Sequence, residues 1–166
     1  MRDIYVVGDA NVDIIVPYPR FLNEERTLVD YPNPELVGGG TSANTAVALA
    51  KLGLPVSFLG TIGDDQYGKY IQKDFKEQGV NTADLIVDPK LNTVGVFAFI
   101  DENGERYLWG WPRVDQAFKV LERDKVPFEK IEAADWVHSS GMSLVYDTSA
   151  RTEIIEIFKK VYEAGV

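Results

Sequence analysis

The stretch VGGGTSANTAVALAKLG, residues 37 to 53, constrains this chain more than any other. Three glycines meet a run of small polar residues and then an Ala/Leu/Val pattern of helical spacing, so a tight turn opens directly into a helix. Glycine has no Cβ and reaches positive φ freely, and the first N–H groups of a helix have no intrahelical partner. Together they predict a place where something comes close to the main chain, favouring an anion or a ring of hydroxyls.

Read literally, GGGTSA satisfies G-x-G-x-x-A, the fingerprint of a dinucleotide-binding turn. That fingerprint needs a buried strand directly before the first glycine. Here DYPNPELV precedes it, and the first buried strand ends in GDAN. A phosphate loop also fails, because no Gly-Lys-Ser/Thr follows. The plain alternative is a strand-to-helix turn that only packs closely; three consecutive glycines beside Asn44 weigh against it.

The rest of the chain supplies the context. IYVVG, residues 4–8, is apolar and largely β-branched, the pattern of a parallel strand buried on both faces. Residues 28–37 carry Pro32 and Pro34 and are expected to form an edge strand or an exposed loop. A helix is predicted over 42–52, capped by Thr41 or Ser42 and stopped by Gly53. VSFLGTIG predicts a returning strand, and a second helix begins at Asp64 or Asp65 and closes at Gly79. This alternation is the rhythm of an α/β sheet.

From Thr93 the pattern changes to two apolar runs joined by DENGE, where Asn103-Gly104 predicts a type I′ hairpin turn. AADWVHSSG resumes the buried-strand pattern. TSARTEIIEIFKKVYEAG then predicts a helix capped by Thr148 or Ser149, with its apolar face at Ile154, Ile155, Phe158 and Val161/Tyr162. A strand is expected next, and the stop at Val166 makes the chain read as a fragment.

Composition narrows the function classes. A length of 166 residues with 45% hydrophobic content fits one domain or an incomplete one. A net charge of −9, with one basic cluster at FKK, argues against nucleic acid and anionic membrane as partners. Without cysteine and with the single His138, no disulfide, thiolate site or zinc cluster is available. No apolar run is long enough for a signal peptide or a spanning helix, so a soluble, cytoplasmic protein is expected.

Gly39-Gly40-Thr41-Ser42-Ala43-Asn44, followed by Ala46, Gly53 and Gly63, resembles the N-terminal signature of the ribokinase-like (PfkB) sugar kinases. GDANVDI, LGTIGDDQYG, TVGVFAFIDENGER and ADWVHSSG are similar to further family segments in the same order, so the resemblance runs through the whole chain. Ser42 departs from the Gly, Ala or Pro usual there, which bears on substrate identity more than on membership. The fold implied is α/β, a Rossmann-like ribokinase fold with a mostly parallel sheet flanked by helices and a small antiparallel β lid. Residues 1–166 would be its sugar-side, N-terminal part, with the lid at about 14–37 and 92–112.

By position, the resemblance implies a polyol cup. The Asp13 carboxylate would accept two vicinal hydroxyls; a strand-end or turn aspartate is the plain alternative. Asn11 would hold the loop or another hydroxyl, Gly39 and Gly40 would let the sugar lie against the main chain, and Asn44 would offer its amide. Trp109 and Trp111 share one strand face at period two, as core or as a water-excluding cover; core is the safer reading for one of them. Arg113 is read as a rim residue or as a partner for a substrate anion, Ser140 as a sugar contact, and His138 as an interior histidine. A lid standing off the body exposes an apolar face unless a second copy covers it, which raises a homodimer through the lid.

The resemblance also implies transfer of the ATP γ-phosphoryl to a sugar or nucleoside hydroxyl, with Mg2+, by an aspartate base in a C-terminal G-A-G-D motif. Residues 1–166 contain no such motif. The chain is therefore expected to supply the acceptor site and lid but no catalytic, ATP or metal residue, and to be inactive alone. Two further readings stay open: a non-catalytic polyol- or nucleoside-binding module, and more weakly a nicotinamide-dinucleotide-binding protein.

Overall fold

The computed structural model describes residues 3–17, 33–110 and 114–166. In chain order these form β1 (Ile4–Val7), β2 (Asn11–Pro17), β3 (Glu35–Gly39), α1 (Thr41–Lys51), β4 (Val56–Leu59), β5 (Thr61–Gly63) and α2 (Gln66–Glu77). They continue with β6 (Ile86–Asp88), β7 (Gly95–Ile100), β8 (Arg106–Gly110), α3 (Phe128–Glu132), β9 (Trp136–Ser139) and α4 (Ser149–Ala164).

β1 is the centre of a parallel sheet in the order β4-β1-β9. Its side chains alternate between two cores, as the two-residue period requires. Ile4 and Val6 pack with Ala43, Ala46, Ile71 and Phe75 from α1 and α2. Tyr5 and Val7 pack with Ile131, Ile154, Ile157 and Val161 from α3 and α4. Helices thus cover both faces, which is why IYVVG is apolar throughout. No helix among the described residues is long and apolar enough to cross a membrane.

A second sheet runs β3-β2-β7-β8, with β2 and β7 parallel and both outer pairs antiparallel. It is therefore mixed rather than purely antiparallel: β2 and β7 are joined by a long crossover through the body, which permits parallel pairing. β5 and β6 make a small parallel pair. VSFLGTIG is two strands, broken at Gly60, where an added Cβ would strike the Gly8 carbonyl.

Three local expectations change. The N-cap of α1 is Gly40, with φ of 101° and no capping side chain of its own, rather than Thr41 or Ser42. The hairpin turn is not type I′, because Asn103 does not take the positive φ that type requires; Gly104 does, at 80°. Asp101 organises it instead, its Oδ1 accepting the Asn103 and Glu105 N–H groups, each at 2.9 Å. On α4 the buried stripe is Ala150, Ile154, Ile157 and Val161, while Ile155, Phe158 and Tyr162 are exposed. The sheet lies under the first stripe, and a helix face of this width cannot bury both. Asp65 and Thr148 cap α2 and α4 as expected.

Candidate acceptor-binding site

Where β1 ends, the chain turns at Gly8 and Asp9 and enters β2, so Asn11 and Asp13 come next to the glycine-rich turn. Asn11 Nδ2 donates to Asp13 Oδ1 at 2.8 Å. Asp13 is half-buried, and this burial pushes its carboxyl above the ordinary carboxylate value, opposed by the Asn11 amide and the charge of Arg106.

The glycines prove to make room for the chain itself. A Cβ on Gly39 would lie 2.7 Å from both Asn11 Nδ2 and Asp13 Oδ2. One on Gly40 would lie 2.8 Å from the Asp9 carbonyl oxygen. Backbone and side chains of the β1–β2 turn therefore occupy the space the missing Cβ atoms leave, and the turn holds the Asn11–Asp13 pair in place.

The N–H groups opening α1 are also taken from within. Asp9, 7% exposed, accepts from Thr41 N–H at 2.7 Å and Ser42 N–H at 3.2 Å. It further accepts from the hydroxyls of Ser42 at 2.8 Å, Ser140 at 2.9 Å and Ser143 at 3.5 Å. Asp9 was missed as a site residue; its one signal is a Gly-Asp pair directly after a buried strand. The unusual Ser42 is fully buried and spends its hydroxyl in this node, and Ser140 turns into it as well rather than toward a sugar. Asp9→Ala removes a helix cap and leaves buried hydroxyls without their acceptor, a loss of about 3 kcal/mol. A melting point roughly 6–12 °C lower by circular dichroism is the expected result.

Strand register decides which predicted residues face one another. Asp13 sits in the row Val37–Asp13–Val96–Gly110, whereas Trp109 sits in the next row with Leu36, Ile14 and Phe97. Successive residues point to opposite faces, so Trp109 is on the face away from Asp13, stacked on Phe97 at 5.5 Å and 64% exposed. The structure thus does not bring Trp109 to the cup; Trp111 and Arg113 lie outside the described residues.

On the Asp13 side, Asn11, Val96 and Gly110 line a cavity of about 170 Å³ with Asp9, Ala10, Val94, Gln116, Phe118, Met142 and Tyr146. Asn11 also borders a groove of about 360 Å³ shared with Gly39 and the exposed Asn44. His138 lies on β9 and is half-buried rather than fully interior. Gln116 and Gly110 escaped the sequence reading because nothing local marks either as facing Asn11.

The chain has known counterparts. The family model described as "pfkB family carbohydrate kinase" matches residues 1–166. A fructokinase of Vibrio alginolyticus is 34% identical, over 99% of this chain and 48% of its own length. A 5-dehydro-2-deoxygluconokinase of Bacillus subtilis is 38% identical, over 89% of this chain and 44% of its own. The crystal structure of an ATP-bound fructokinase from Xylella fastidiosa superposes with a TM-score of 0.82 at 23% identity, covering 98% of this chain and 49% of that one. The chain spans about half the length of these curated relatives. With every residue from 1 to 166 inside the family match, the chain belongs to the pfkB family of carbohydrate kinases.

Proposed function

We propose that this chain is the acceptor-binding side of an ATP-dependent carbohydrate kinase, and that it holds a sugar or sugar-like polyol for phosphorylation at one hydroxyl. The observation that carries this reading is the half-buried Asn11–Asp13 pair, locked against Gly39, whose Asn11 lines a cavity with mostly apolar walls. A carboxylate there can accept two hydroxyls at once, and apolar walls keep competing water away from both. Gly39 and Gly40 hold the pair in register, and Asn44 faces the adjoining groove.

ATP does not fit the glycine-rich turn. A phosphate needs the N–H groups of Thr41 and Ser42, and the Asp9 carboxylate already holds them, placing negative charge where the phosphate would sit. The same observation weighs against a dinucleotide at this turn. In this reading ATP, which the Xylella relative binds, and Mg2+ are held by a further part of the fold that this chain does not span. The reading also places the kinase in the cytoplasm. The exposed strand β8, with Tyr107, Leu108 and Trp109 uncovered, supports pairing of two copies through the lid sheet.

The test is a panel of hexoses, pentoses, sugar acids and nucleosides given with ATP and Mg2+ to the complete kinase, this chain together with the half that completes it. ADP release that depends on one class of polyol is the expected result. Binding of a polyol without ADP release would favour a non-catalytic binding module instead.

A further inference from the structure

Gln116 stands out among the cavity residues. It is 6% exposed, and its Oε1 is buried without a hydrogen-bond partner among the described residues. Its backbone is firmly held: Asn92 N–H donates to Asp115 C=O at 2.8 Å, Ala117 N–H donates to Asn92 C=O at 2.9 Å, and Ala117 is buried. The side chain therefore belongs to a fixed wall rather than to a loop that could turn it into solvent. Buried polar atoms are nearly always paired in folded proteins, so an orphan beside a cavity calls for an explanation.

We propose that Gln116 is a specificity-determining residue, its amide oxygen accepting a hydrogen bond from one hydroxyl of the bound polyol. This rests on the acceptor-site reading above. The outer torsion of a glutamine amide is broad and costs little to turn, so the oxygen can swing from the wall to a ligand in the cavity. Val94, Val96, Phe118 and Met142 in the same lining offer no side-chain acceptor; of the residues that do, Asn11 is engaged with Asp13 and Asp9 with its buried hydroxyls. A hydroxyl facing this wall meets Gln116, while an analogue lacking it leaves the amide unpaired. That asymmetry is how sites reject deoxy substrates strongly. The substrate class it selects is a polyol with a donor hydroxyl facing the Gln116 wall, apart from the hydroxyls given to Asp13.

The experiment compares the preferred sugar with its single-deoxy analogues, in the wild-type complete kinase and in Gln116→Met, a near-isosteric change that removes the amide. The wild type is expected to discriminate against one deoxy position by at least about 10-fold in kcat/KM, and the variant to lose that preference at that position alone. Gln116→Glu keeps an acceptor and is expected to keep the preference. The melting point of Gln116→Met should be unchanged or higher, since an unpaired amide oxygen is removed from the interior. Identical deoxy profiles in the wild type and Gln116→Met overturn the inference while leaving the kinase reading intact. A wild type that phosphorylates no member of the panel overturns both.

Discussion

Asp13→Asn in the complete kinase is expected to lower kcat/KM for the sugar by about 30- to 1,000-fold, a loss of about 2–4 kcal/mol, because a charged acceptor is removed from a partly desolvated site. The side chain keeps its shape and one acceptor oxygen, so the fold should survive. What disappears is the negative charge and the ability to accept two hydroxyls together. Asn11 is also left facing an amide, and its Nδ2 donor must compete for a single oxygen. The KM for ATP should stay within about twofold, because the Asp13 site is not where the nucleotide is held in this reading. Steady-state kinetics with each substrate varied in turn check both halves. An unchanged sugar kcat/KM would remove Asp13 from the acceptor site.

The second large effect is complete: residues 1–166 alone are expected to show no ADP release above a mock preparation with ATP, Mg2+ and any sugar. Phosphoryl transfer needs a base at the acceptor hydroxyl, donors around the γ-phosphate and a metal, all in one place. Asp13 is engaged with Asn11 and placed to hold hydroxyls, and the helix N-terminus that could receive a phosphate is closed by Asp9. Titrating the same sugars by calorimetry separates loss of chemistry from loss of binding. Sugar-dependent ADP release by this chain would show that it contains a full catalytic site.

Much of the architecture was legible because its causes are local. β1 could be read from its unbroken apolar run, and the ends of α2 and α4 from Asp65 and Thr148. The glycine-rich turn was legible as a site of close approach, but not what approaches it: Asn11 and Asp13 lie across a strand pairing that sequence does not display. Asp9 was opaque for the same reason, since its partners lie 32 to 134 residues away and only the order β4-β1-β9 gathers them. The side of the sheet that Trp109 takes was not legible, because it depends on strand register, which pairs Trp109 with Phe97 rather than with the row of Asp13. Ile155 and Phe158 have the right spacing for a core stripe but sit on the flank of the one that meets the sheet.

The Asp9 node also imposes an order on events during synthesis. Asp9 and Ser42 leave the ribosome early, and Ser140, another member of the node, is 98 residues behind Ser42. At ordinary elongation rates that gap lasts roughly 5–20 s. For most of it, once β4 has followed, β1 can pair with β4 but not with β9, so the middle strand of the finished sheet spends that time as an open edge, the kind of surface on which nascent chains pair wrongly. The Asp9 node is thus completed late, and a ribosome stalled between β4 and β9 would present a chaperone with a half-built sheet whose most apolar strand is uncovered on one side.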